Sequence, residues 1–124
     1  MNERTIDWKS GEVQTTGAVT VTVCSSDVIP DSTSVMVDCS LEGRSAVSGE
    51  MASSRFCFQA KRVAGVLTMT GAQVDIVTFA SGSDAALAGC TATVDSNTNQ
   101  LRLRVTGVAA NTIDWFGDMR VRIN

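Results

Sequence analysis

The chain contains no histidine and no tyrosine. The side chain that most often acts as a general base near neutral pH is therefore missing, and neither a Ser-His-Asp nor a Cys-His arrangement can be built. The two lysines, Lys9 and Lys61, stand in no recognisable catalytic setting. Acids such as Asp27, Asp31, Asp84 and Asp95 fall in segments rich in Ser, Gly and Asn, where short acidic side chains serve by bonding the local backbone. Cys24, Cys39, Cys57 and Cys90 are widely spaced; with no C-x-x-C pair and no histidine they outline no zinc site. Free thiols acting as small hydrophobes are expected. Asp95-x-Asn97-x-Asn99 puts oxygen ligands at alternate positions, as a calcium loop does, but lacks the glycine and later glutamate of such a loop, so a polar hairpin turn is expected there. The sequence predicts a protein that is not an enzyme, with no catalytic residue, cofactor or metal.

The remaining side chains suit contact with other proteins. Arg102, Arg104, Arg120 and Arg122 would line up as a basic stripe if the last two strands pair, and arginine suits interfaces through its planar, two-pronged donor. Ile6 and Trp8 stand in a polar N-terminal segment, Met1–Thr16, which reads as an arm ahead of a β-domain over 17–124. A large aromatic on an arm is a natural anchor. These six residues, Ile6, Trp8, Arg102, Arg104, Arg120 and Arg122, are the expected partner-binding set. Thr5-Ile6-Asp7-Trp8 also recurs as Thr112-Ile113-Asp114-Trp115, with Trp115 expected in the core.

The elements that must position these groups show period-2 alternation broken by turn residues, the mark of strands. Val19, Val21 and Val23 alternate with threonines; Val35, Val37, Cys39 and Leu41 alternate with Met36, Asp38, Ser40 and Glu42; Phe56, Phe58 and Ala60 share one face. Gly43 to Ser54 reads as a long loop, and Val66–Thr70 with Val74–Phe79 as a hairpin about Gly71. Ala80 to Ala85 reads as a second loop, with a short helical turn at Ala85–Ala88. Leu101, Leu103 and Val105 face inward, and a final strand carries Ile113, Trp115, Met119, Val121 and Ile123, with Gly117 suggesting a bulge. About eight short strands imply an all-β fold, a single antiparallel β-sandwich of jelly-roll or Greek-key type.

Composition agrees with a binding role. Charged residues are 19% of the 124 residues against a typical share of about 25%, so apolar surface is left to be covered by a partner or by self-association. The formal net charge of −3 gives no electrostatic reason to expect nucleic acid or an anionic membrane as partner. No apolar run reaches the length that spans a bilayer, and the N-terminal residues lack the apolar core of a signal peptide, so synthesis in a host cytoplasm is expected.

From about Thr16 to Asn124 the chain resembles a small β-sandwich module of tailed-phage virion proteins, of the capsid-decoration, head-fibre or tail-fibre type. The resemblance is carried by the Thr/Val-rich opening strand Ala18–Cys24, by Ile29-Pro30-Asp31-Ser32-Thr33, by the strand with Phe56 and Phe58, by Val66-Leu67-Thr68-Met69-Thr70-Gly71, and by the ending Leu101–Gly107, Asn111–Trp115 and Arg120–Ile123. It implies binding and assembly, with no catalytic residues to carry over. The expectation that follows is a capsid decoration (cement) protein on the outside of a phage head, bound to the major capsid protein and to itself as a trimer or dimer. The alternative is a tail-associated or receptor-binding module contacting its target through Arg44–Ser53 and Ala80–Asp84. A jelly-roll enzyme such as a cupin is the remote reading, since cupins use histidine ligands.

Overall fold

The computed structural model describes residues 5–80 and 89–123. These form eight strands, β1 (Thr5–Thr16), β2 (Thr20–Ser25), β3 (Thr33–Ser45), β4 (Met51–Val63), β5 (Val66–Ala80), β6 (Thr91–Asn97), β7 (Gln100–Thr106) and β8 (Thr112–Ile123). Every pairing is antiparallel, and the strands divide into a five-stranded sheet, β1-β8-β3-β4-β5, and a three-stranded sheet, β2-β7-β6. The all-β sandwich expected from the alternation is the fold found. Nesting β1 with β8 and β2 with β7 is a jelly-roll wrap, while β3, β4 and β5 run on as a meander within one sheet. Among the described residues no helix is long and apolar enough to cross a membrane.

The core is the space between the sheets. Val35, Val37, Cys39 and Leu41 of β3, Phe56 and Phe58 of β4, and Ile113, Trp115, Met119 and Val121 of β8 meet Val23, Leu101, Leu103 and Val105 from the smaller sheet. The Trp115 indole N–H donates to the buried Thr15 hydroxyl at 2.9 Å, satisfying the one polar atom that tryptophan carries into the core. A close approach between the sheets occurs where Gly11 and Gly117 face each other on β1 and β8. A Cβ at Gly11 would lie 1.9 Å from the Val23 carbonyl oxygen, and one at Gly117 would press on Leu41, Val23 and Leu103. The missing side chains form a notch that seats the bulged part of β2, whose register shifts between Thr22 and Cys24.

Several expectations are corrected. The segment 5–16 is no free arm: it is the edge strand β1, paired along its whole length with β8. The loop expected over Gly43–Ser54 is mostly strand, with the turn confined to 46–50. Gly43, one of the small residues that suggested a loop, is small for a packing reason, since a Cβ there would lie 2.4 Å from the Trp115 ring. No hairpin forms at Gly71, because β5 runs unbroken from Val66 to Ala80; the hairpin turn is Ala64-Gly65, both at positive φ, and Asp31 accepts the Gly65 amide at 3.0 Å. Gly117 makes no bulge, and β8 keeps register with both neighbours through it. The expected second loop at Ala80–Ala85, with its contact segment Ala80–Asp84, lies, beyond Ala80, outside the described residues, as does the helical turn at Ala85–Ala88.

Candidate interaction face

Two arginine pairs leave the sandwich in opposite directions. β7 lies in the small sheet and β8 in the large one, so the basic stripe expected from their pairing does not exist. Alternation turns both pairs outward, but onto the two outer faces of the molecule.

On the small sheet, Arg102 grips Asp95 through Nε to Oδ1 at 2.8 Å and Nη2 to Oδ2 at 2.7 Å, and Arg104 approaches the same carboxylate at 3.7 Å. The hydrogen bonding to Asp95 raises the Arg102 pKa from its ordinary value. Both oxygens of Asp95 are thus engaged, and the turn at Thr98 and Asn99, both at positive φ, is the polar hairpin the sequence suggested. Thr20 and Thr106 bond hydroxyl to hydroxyl at 2.7 Å on the same face. Among the described residues, no large exposed apolar side chain lies on β2, β6 or β7.

The large sheet's outer face differs. The registers stack its side chains in rows across β1, β8, β3 and β4. The first row is Ile6, Arg122, Met36, Gln59; the second is Trp8, Arg120, Asp38, Cys57. Arg120 donates to Asp38 at 2.5 Å and lies 5.5 Å from the centre of the Trp8 ring, while Arg122 comes within 3.8 Å of Asp38. The guanidinium is held between a carboxylate and an aromatic face, both of which favour its charge. Trp8 remains 64% exposed, Ile6 54% and Met36 42%. Between Ile6 and Met36 lies a groove of about 550 Å³, with Gln59, Lys61, Arg120 and Arg122 on its walls. Toward the other end of the same face, Phe116 is 43% exposed beside a hollow of about 300 Å³ bordered by Glu42, Arg55 and Asp118.

Of the six expected contact residues, Ile6, Trp8, Arg120 and Arg122 are therefore gathered on one face, and Arg102 and Arg104 are on the other. Met36, Asp38, Lys61 and Phe116 belong to the same face and were not expected. The available signal was phase: Met36 and Phe116 are apolar residues on the side of their strands opposite the core residues. None of the four cysteines is joined in a disulfide, and two of them, Cys24 and Cys39, are buried. Burial, with a smaller contribution from Asp118, pushes Cys24 up from 9.0 to about 11, and burial pushes Cys39 up as well.

No protein-family model matches the sequence, and no curated protein matches it. Among solved structures, the tailspike protein of Acinetobacter baumannii phage AM24 is similar over 97% of this chain and 26% of its own, with a TM-score of 0.57 and 12% identity. The tailspike protein of Acinetobacter phage vB_ApiP_P1 matches over 94% of this chain and 21% of its own, with a TM-score of 0.49 and 16% identity. The chain spans about a quarter of the length of these neighbours. At such identity the likeness is one of fold.

Proposed function

We propose that this chain is a tail-associated module of a phage virion that works by binding other proteins and has no catalysis of its own. The observation that carries this reading is the fold likeness to a phage tailspike over nearly the whole chain. The exposed Trp8, Ile6 and Met36 beside two arginines support it, because exposed apolar side chains with arginine and tryptophan are the composition of a contact surface. Both neighbours described above are tailspike proteins, and the tail-associated alternative accords with the fold likeness better than capsid decoration does.

The deciding measurement is the copy number of the polypeptide per virion, by quantitative mass spectrometry against the major capsid protein. A handful of copies, located on the tail by gold-labelled antibody, is the expected result. A number matching the capsid subunits would replace the tail reading with decoration of the head, and absence from particles would remove both.

A further inference from the structure

We propose that the groove between Ile6 and Met36 takes an extended acidic segment of a partner protein, held by two carboxylates four residues apart. This rests on the reading of the chain as a protein-binding module and names the kind of partner. The pleat of the large sheet builds the groove. The row Ile6, Arg122, Met36, Gln59 and Thr70 crosses all five strands with its side chains outward. Ser34 and Lys61 stand in the next outward row. Between the two rows Val35 and Ala60 turn their side chains into the core, so the main chain is the floor. The amides and carbonyls of that floor are already paired in the ladder, which leaves recognition to the walls.

The walls carry charge of one sign. Lys61, Arg120 and Arg122 line the groove, and among the described residues no carboxylate does. Asp38, one row further along, is shared by Arg120 and Arg122, and Lys61 has no carboxylate partner among the described residues. Three cations to one carboxylate leave a net +2, on a chain whose formal net charge is −3. Arg122 and Lys61 stand two strands and two residues apart, about 12 Å at ordinary sheet spacings. Carboxylates four residues apart on an extended chain are separated by about 13 Å and lie on the same side of it. A single phosphate would instead draw both long side chains together over Met36, at a cost in rotamer freedom. Ile6 and Met36 are exposed, and they receive the apolar side chains between the carboxylates; the flexible thioether of methionine adapts to many shapes. A sugar's hydroxyls set against them would lose water without gaining a partner. A single-stranded nucleic acid stacks its bases on aromatic rings, and the described lining has none. An acidic peptide suits both the charge and the apolar walls, and arginine clusters are a recurring reader of acidic motifs.

The test is fluorescence polarisation of a labelled peptide, two glutamates four positions apart with leucines between them, against the 124-residue chain. Saturable binding is expected below about 1 mM, and at least about fivefold weaker in 0.5 M than in 0.05 M salt. Replacing the peptide's glutamates with glutamines should weaken it at least about tenfold. Lys61→Glu and Arg122→Glu, both at exposed positions, should each weaken it at least about fivefold, with circular dichroism as the folding control. Should a variant fail to fold, methyl NMR of the wild type decides: peptide must shift the exposed Met36 and leave the buried Met119 in place. A tail protein that ignores the peptide would sink this inference alone, and a chain that takes the peptide but is absent from virions would sink the tail reading alone. Absence of binding at millimolar peptide overturns the proposal, as does binding indifferent to both substitutions or to the loss of the glutamates. An oligogalacturonate that displaces the labelled peptide at lower concentration than unlabelled peptide does would overturn it too, and give the groove to an acidic sugar.

Discussion

Thr-Ile-Asp-Trp occurs twice, on two strands that are neighbours in one sheet, and the two copies have opposite fates. In Thr112–Trp115 the isoleucine and tryptophan are buried, Ile113 at 0% and Trp115 at 3% exposure, and Asp114 points to solvent. In Thr5–Trp8 the isoleucine and tryptophan point out, at 54% and 64%, and Asp7 is turned toward the inner side. The cause is arithmetic. Residue i of β1 faces residue 128 − i of β8, as Thr5 faces Ile123, so odd positions of both strands share the inner face. The two copies are 112 − 5 = 107 residues apart, an odd offset, so one of them must be out of phase. Burial here follows a residue's phase in the pleat, and the identity of the tetrapeptide has no say in it.

The comparison can be broken first at its buried end. Trp115→Ala should cost about 3–5 kcal/mol in urea unfolding, because it empties a core position and strands the Thr15 hydroxyl. Gly43→Ala should cost about 1–3 kcal/mol, since its methyl group meets the Trp115 ring. If Trp115→Ala proved as mild as a surface change, the assignment of the inner face would be wrong.

Most of the fold was legible in this sequence, and the exceptions share a cause. Alternation alone marked β3, β7 and β8, because bulky branched residues recur every second position there. It failed at 43–54, where Gly43 lies against the Trp115 indole and, with the serines and alanines that follow, mimics a loop. It failed at Gly71, where a glycine inside a long strand looked like a turn, and at Gly117, where it looked like a bulge but is part of the notch that admits β2. Strand partners were not legible either, so four arginines that look alike in sequence were placed on one stripe instead of two faces. The contact face was half legible: Trp8 was conspicuous among polar neighbours, whereas Asp38 is an ordinary strand residue until β8 is laid beside it.

At the exposed end the effects are smaller. Asp38→Ala should cost about 1–2 kcal/mol, because it leaves Arg120 and Arg122 side by side with no shared carboxylate. Trp8→Ala should cost under about 1 kcal/mol, the worth of an exposed cation–π contact. Acrylamide should quench the fluorescence of Trp8→Phe far less than that of Trp115→Phe, and equal quenching would erase the distinction between the two copies. The buried side also has a pH signature. Folded Cys24 keeps its proton up to about 11 against 9.0 for an ordinary thiol. Its contribution to stability is therefore whole below pH 9 and lost as pH rises through 11. The urea midpoint should be level from pH 7 to 8.5 and fall above pH 9, less steeply in Cys24→Ala.

The pairing of Thr5 with Ile123 has a mechanical consequence. The first and last described strands begin and end side by side, so a pull applied to the two ends of the fold loads β1 and β8 one bond at a time, as a zipper opens. Such a module yields at low force when held by both ends. Held by one end, with the load on its outer face, it transmits that load across the whole ladder at once. The same adjacency means that a short bridge between those ends would leave every strand in place, so the domain should accept new termini in the turn at 46–50 and still close.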